Sequence, residues 1–482
     1  MQSPQPEPFE TLIPARLDRL PWSPFHWLFI IGLGVTWVLD GLEVTIMGAV
    51  SAELERPDVL HLSAAKIGFI SSCYLAGAVL GSLAFGHLTD RFGRRKFFFL
   101  TLLIYLTGVG LTALSWNLAS FSVFRFVTGA GIGGEYSAVN SAIDELVPAR
   151  VRGRVALLIN GSFWLGAMVG SACTVVILDP AIFPPNLGWR LGFGIGPVIG
   201  LAIIYLRRFI PESPRWLMTH GRLAEAEMII RKIEASSFKR QSPNDLPVEL
   251  LLTIHPRSRF GLQVAARAIL TEYRARAYLG FGLMAAQAFA YNAIFFTYAL
   301  VLHRYYFVPP QRAGLYLLPF ALGNFCGPLF LGRFFDTIGR RPLIAASFAA
   351  SGMILMLTGW LFANQALTTF SQVALWTVMF FFASAAASSA YLTVSELFPL
   401  ELRAIAIAIF YAAGTAVGGM VGPWFFGFLI DTGSRRMLFL GYAISAGLMI
   451  AAAALELLLG VDAERRSLEE IAPPLSSRRL DQ

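Results

Sequence analysis

Twelve apolar runs punctuate the chain, near 27–50, 65–87, 97–115, 119–142, 153–178, 190–207, 277–302, 313–333, 342–363, 370–395, 404–430 and 437–459. Runs of roughly 17 to 25 residues are long enough to cross a hydrocarbon core as helices and too long for barrel strands. The pattern therefore predicts an all-α membrane protein with twelve transmembrane helices. Between the sixth and seventh runs lies a polar, Arg-rich stretch. Its segment Arg222-Leu223-Ala224-Glu225-Ala226-Glu227-Met228-Ile229-Ile230 has apolar residues at helical spacing. This predicts one or two amphipathic helices on the membrane face, tethering two halves. The expected organisation is a tail over 1–26, a bundle over 27–207, a linker over 208–276, a second bundle over 277–460 and a tail over 461–482.

Composition agrees with this. Of 482 residues, 56% are hydrophobic and only 14% charged, and the mean hydropathy is +0.62. A soluble domain of this length could not hide so much apolar surface. The net charge of +8 could point to nucleic acid, but its placement points to the bilayer. Arg91, Arg94, Arg95, Lys96, Arg150, Arg152, Arg154, Arg340, Arg341 and Arg403 sit on alternate loops, whereas 178–189 and 363–369 carry no Lys or Arg. The positive-inside rule then places both termini in the cytosol of an inner-membrane protein, with Arg435 and Arg436 as exceptions. Glu7, Glu10 and several prolines precede the first run, which predicts a retained helix and not a cleaved leader. Cys73, Cys173 and Cys326 fall in apolar runs and read as buried thiols. No metal-ligand spacing, nucleophile motif or cofactor signature is visible, so an enzyme is not expected.

The chain is an internal duplicate. Gly86-His87-Leu88-Thr89-Asp90-Arg91-Phe92-Gly93-Arg94-Arg95-Lys96 recurs as Gly332-Arg333-Phe334-Phe335-Asp336-Thr337-Ile338-Gly339-Arg340-Arg341-Pro342, an offset of 336 − 90 = 246. Glu145-Leu146-Val147-Pro148 with Arg152 recurs as Glu396-Leu397-Phe398-Pro399 with Arg403. Pro211-Glu212-Ser213 has a degenerate echo at Val461-Asp462-Ala463. Parallel duplicates predict two pseudo-symmetric six-helix bundles about an axis along the membrane normal, with a central site between them. Gly93 and Gly339 suit tight turns. Asp90 and Asp336 can accept from helix N-termini or nearby arginines. The set Asp90, Arg91, Gly93, Arg94, Glu145, Arg152, Asp336, Gly339, Arg340, Glu396 and Arg403 thus reads as a charge-linked gate.

These duplicated segments resemble the loop signature of the major facilitator superfamily, across essentially the whole chain. Pro211-Glu212-Ser213-Pro214-Arg215-Trp216-Leu217 and Arg466-Ser467-Leu468-Glu469-Glu470-Ile471 resemble markers of its sugar-porter branch, as does Gln287-x4-Asn292. Phe295-Phe296 replaces that branch's tyrosine pair, Ala387-Ser388-Ser389-Ala390-Tyr391 its Gly-Pro-x-Pro-Trp run, and Thr415 its eleventh-span tryptophan. These departures argue against a hexose. Asp40-Gly41-Leu42-Glu43 resembles the Asp-Gly-x-Asp element of aromatic-acid–proton symporters, and Gly131-Ile132-Gly133-Gly134-Glu135 the Gly-Gly-Glu of metabolite–proton symporters. The resemblance implies alternating access in a monomer.

A mid-membrane charge costs roughly 2.5 to 3.5 kcal/mol on insertion scales, so each one needs a partner or a role. Asp40 and Glu43 share a face of the first span, while Arg125 and Glu135 lie about 15 Å apart along the fourth. Pairing the first-span carboxylates with Arg125 would let a proton bind and leave as the bundles rock. The sequence does not separate Asp40 from Glu43 as carrier. Glu456 reads as reaching the interface at the end of the last span. For the substrate, Asn160 stands where sugar porters place a recognition amide. Gln287, Asn292 and Asn324 add amides, with Trp164, Tyr291 and Tyr391 as aromatic walls. The combined expectation is proton symport of a small organic acid or other non-hexose solute. A sugar–proton symporter is the alternative within transport, and a non-transporting membrane sensor on the same fold the alternative outside it.

Overall fold

The apolar runs fold as helices, the seventh as two (Arg274–Phe295 and Tyr298–Tyr306), and most of the helices outrun the stretch that predicts them. The spans are Pro24–Leu54, Ala64–Phe92, Arg94–Ala113, Leu118–Leu146, Arg152–Ile177, Pro185–Arg207, Arg274–Phe295, Leu317–Phe335, Arg340–Ala363, Thr369–Leu397, Arg403–Asp431 and Arg435–Leu459. The backbone gains its hydrogen bonds whatever the side chains are, so helices continue past the apolar core into polar ends. Those overruns carry Asp90, Glu145, Arg340 and Glu396. The computed structural model describes residues 9–54, 57–62, 64–179, 181–208, 211–237, 252–254, 262–295, 297–308 and 314–473. Phe296 and most of the linker beyond 237 lie outside the described residues.

Among the described residues, ten of these helices are long and apolar enough to span on length and composition alone. The fourth and seventh are not among them. The fourth carries Arg125 and Glu135, and the seventh carries Gln287 and Asn292. The least lipid-like spans are thus the ones whose polar side chains are housed inside the protein, as expected when such groups must avoid hydrocarbon.

Within the first half the first span packs on the fifth, and the second and third on the fourth; in the second half the eighth packs on the tenth and the ninth on the twelfth. Across the halves, the fifth span meets the eighth and the eleventh meets the second. These two seams are related by the duplication. The repeat also holds at the opposite end of the bundle. Arg190 donates to the carbonyl of Ala113 at 2.7 Å, closing the end of the third span. Arg435, at an offset of 435 − 190 = 245, donates to Phe362 at the end of the ninth (3.3 Å) and to Tyr305 (3.1 Å). Its guanidinium also lies 4.6 Å from the centre of the Phe362 ring. Of the two exceptions to the charge rule, Arg435 is therefore a helix-capping arginine.

Both ends of the described chain lie on one face of the bundle, here the terminal face. Strand β1 (Phe9–Thr11) pairs antiparallel with β2 (Leu252–Ile254) of the linker, a small sheet outside the helical bundle. The helix Ile13–Arg19 follows and buries Ile13, Leu17 and Leu20 against Trp216, Ile230 and Ile233 of the linker helices and Leu400 of the second half. Arg16 pairs with Glu227 at 2.8 Å and Glu234 at 2.7 Å. The linker stretch Leu223–Ser237 is the amphipathic helix expected, and its apolar face covers this N-terminal strap.

Asp18 is the strap's anchor. It pairs with Arg152 at 3.1 Å and with Arg215 at 2.9 Å, and Arg215 also holds Glu469 of the C-terminal segment at 2.9 Å. Both arginine side chains are fully buried. Asp18→Ala withdraws a carboxylate shared by two buried guanidiniums, and breaking such pairs costs about 3 kcal/mol or more. The expected result is a clearly lower melting temperature for the purified protein in detergent. An unchanged melting temperature would show that the strap is not tied through Asp18.

Candidate functional site

The residues expected to form a gate, Arg91 excepted, assemble on the terminal face as two pseudo-symmetric clusters. Arg94 pairs with Asp90 at 2.8 Å and with Glu145 at 2.7 Å; Arg340 pairs with Asp336 at 3.3 Å and with Glu396 at 2.7 Å. Gly93 and Gly339 have φ of 103° and 128°, a region glycine enters without strain. Each cluster then reaches into the other half. Asp90 accepts from the backbone N–H of Ile405 (2.9 Å) at the start of the eleventh span. Asp336 accepts from Gly153 (3.1 Å) and Arg154 (2.8 Å) at the start of the fifth. A carboxylate at a helix N-terminus meets unpaired donors and the positive end of the helix dipole. Arg152 with Glu396 (3.5 Å) and Arg403 with Glu145 (3.9 Å) complete the crossing. Arg91 stands apart, exposed over the ring of Phe92.

Glu212 braces the first cluster, accepting from the backbone N–H of Arg94 at 2.8 Å and of Arg95 at 3.3 Å. Burial pushes its carboxyl above the usual range, against the pull of those donors. In the second half the matching group is Glu464, 3.4 Å from the N–H of Arg340. This corrects the register of the sequence echo, which set Asp462 against Glu212. The side chain that reaches the turn lies two residues later.

Between the first and fourth spans, Arg125 forms an ion pair with Glu43, both side chains nearly fully buried. Asp40, three residues earlier, accepts from Tyr74 Oη of the second span at 2.9 Å and Tyr136 Oη of the fourth at 3.2 Å. The Arg125 guanidinium lies 4.4 Å from the centre of the Tyr74 ring. One connected network thus holds both carboxylates. Glu135 turns to the third span, where Thr101 donates to it at 2.7 Å. Glu456, near the end of the last span, is buried (1% exposed), with its carboxylate turned toward Gly460 at the helix end.

The proposed substrate residues divide into two groups. Trp164, Tyr291 and Asn324 come together across the fifth, seventh and eighth spans. The Trp164 and Tyr291 ring centres are 5.9 Å apart, Tyr291 donates to Asn324, and Phe295 and Phe380 complete the aromatic lining. Gln287 is half-buried on the seventh span, and the Asn292 amide lies 3.5 Å from where a side chain at Gly419 would begin. Asn160 is tied differently: it accepts from Trp37 Nε1 at 3.1 Å and donates to Asn140 at 3.1 Å, joining the first, fourth and fifth spans. Tyr391 belongs to a second aromatic group with Trp37, Tyr136 and Tyr411. Tyr74, Tyr136 and Tyr411 are not distinguished by sequence reasoning. The available signal was the coincidence of several tyrosines within otherwise apolar spans.

The family model described as "Sugar (and other) transporter" matches residues 35–473. The chain belongs to that family. It is a multi-pass membrane transporter of the major facilitator type, not an enzyme. The niacin transporter NiaP of Acinetobacter baylyi is 27% identical over 95% of this chain and 99% of its own length. The 4-hydroxybenzoate transporter PcaK of the same organism is 23% identical over 85% of this chain and 86% of its own. Relatives named as probable glucose and inorganic phosphate transporters also match, so the family likeness spans several solute classes. In fold, the proton–xylose symporter XylE bound to 6-bromo-6-deoxy-D-glucose superposes with a TM-score of 0.76, at 21% identity over 93% of this chain and 98% of that one. The partially occluded inward-open form of XylE from E. coli gives 0.62, at 22% identity over 90% and 97%.

Proposed function

We propose that this transporter is a proton symporter for a small aromatic or heteroaromatic carboxylate, working as a monomer in the inner membrane with both termini cytosolic. The observations that carry the reading are the buried network of Asp40, Glu43 and Arg125 in the first half and the aromatic cluster of Trp164, Tyr291, Phe295 and Phe380 between the halves. A planar ring gains from offset or edge contacts with such walls, and the amides of Gln287 and Asn292 are donors suited to a carboxylate. The names of the niacin and 4-hydroxybenzoate relatives fit the same class. Charged loops on the terminal face support the orientation.

Thermal-shift measurements on the purified protein test the substrate class, because a ligand that binds the native state raises its melting temperature. Nicotinate and 4-hydroxybenzoate are expected to raise it, and glucose and xylose to leave it unchanged. The reverse pattern would establish the sugar–proton reading instead. Counterflow of labelled nicotinate in proteoliposomes then separates a carrier from a sensor on the same fold, and Trp164→Ala is expected to weaken that counterflow about tenfold or more.

A further inference from the structure

We propose that Tyr136 is a positioning residue that transmits the charge of Asp40 to the contact between the two halves. The inference rests on the reading of Asp40 as a proton-binding carboxylate. Tyr136 has two attachments. Its hydroxyl donates to Asp40 at 3.2 Å. Its ring stacks on Tyr411 of the eleventh span, with centres 4.7 Å apart and planes at 18°, and on Tyr391 of the tenth, at 5.7 Å and 22°. Trp37 closes the other side at 4.2 Å. The first-half tyrosine is therefore held by a first-span carboxylate while its face is covered by two second-half rings. This stack lies along the same seam as the contact of Ser82 with the Ala408 carbonyl and the Asp90–Ile405 bond of the latch.

Other groups around Asp40 do not bridge the halves in this way. Glu43 on its own helix is paired with Arg125. Tyr74, Tyr105 and Arg125 come from the second, third and fourth spans of the same half, and Tyr391 and Tyr411 face it from the second half. An ionised carboxylate accepts on both oxygens, so Tyr74 and Tyr136 both bind it. A proton on one oxygen turns that site into a donor and removes the charge assistance that roughly doubles such a bond. The longer bond, to Tyr136, is the one released. Tyr136 is then free to leave Tyr411, and the seam on the terminal side opens.

A cysteine reporter tests this without any substrate. In a background with Cys73, Cys173 and Cys326 replaced by serine, Ser82→Cys places a thiol in the closed seam, where a water-soluble maleimide reaches it only on opening. The alkylation rate of this parent, divided at each pH by that of the same thiol in the denatured protein to remove the fall in thiolate, is expected to rise about tenfold on acidification, a modest population shift. Tyr136→Phe keeps the ring and loses the hydroxyl, so its normalised rate should be high and equal at both pH values. Asp40→Asn should do the same, and serves if Tyr136→Phe is poorly folded. Tyr411→Phe should retain the parental response and Tyr411→Leu should lose it. A parental pH response in Tyr136→Phe would overturn the inference while leaving the proton reading intact. A parent without a pH response, with Asp40→Asn matching it, would overturn both.

Discussion

Glu43→Gln should abolish uptake driven by a pH gradient in proteoliposomes, a loss of about 100-fold, while counterflow of the same labelled aromatic acid at equal pH stays within about threefold. Counterflow needs only a substrate site that faces each side in turn. Uphill uptake needs a carboxylate that exchanges a proton between the two states. Glu43 is 1% exposed and its partner Arg125 is 2% exposed, so their pairing is not screened by water and changes only if the helices move. Arg125→Ala differs in kind. It strands Glu43 as a buried charge, and removing one partner of such a pair costs roughly 3 to 5 kcal/mol, so stability and both transport modes should fall together. The double variant Glu43→Gln/Arg125→Ala should regain part of that stability, because no unpaired carboxylate remains. Asp40→Asn in the same assay separates the two first-span carboxylates. Full uphill uptake in both Glu43→Gln and Asp40→Asn would leave the ion pair a purely structural clamp between the first and fourth spans.

The repeat made the fold legible because both copies of the charged loop keep the residues that geometry demands. Only glycine enters the φ of Gly93 and Gly339 freely, and only a short carboxylate at Asp90 and Asp336 reaches the helix starts of the opposite half. Where geometry is less exacting, the text drifts. Glu464 does the work of Glu212 from a shifted position, since a longer side chain reaches the same turn from another place on the backbone. Tyr136 and Tyr411 were hidden for a different reason. A tyrosine in an apolar helix reads as wall until its hydroxyl partner is known, and that partner lies about 96 residues away in sequence on another span. The strap was hidden because Asp18 sits in a charged tail, where a carboxylate normally faces water. Only the fold brings Arg152 and Arg215 to it.

Gly41→Val and Gly166→Val should each yield no monodisperse folded protein. A Cβ at Gly41 would overlap the carbonyl oxygen of Phe163, and one at Gly166 would overlap the carbonyl oxygen of Val38. The obstacles are backbone atoms of the facing helix, so no rotamer change relieves them. The first and fifth spans would have to separate, losing the close approach that small residues allow in a membrane, where apolar area alone does not drive helices together. The expected loss exceeds the roughly 4 to 5 kcal/mol that marks exceptional single substitutions. Gly447→Ala is the control: nothing lies within 4 Å of a Cβ there, and alanine is the better helix former. The consequence reaches the site, because Gly41 is flanked by Asp40 and the same crossing positions Trp37 against Asn160 at 3.1 Å. If Gly41→Val were to purify normally and still show pH-driven uptake, this helix crossing could not be the one that holds Asp40 and Glu43 in place.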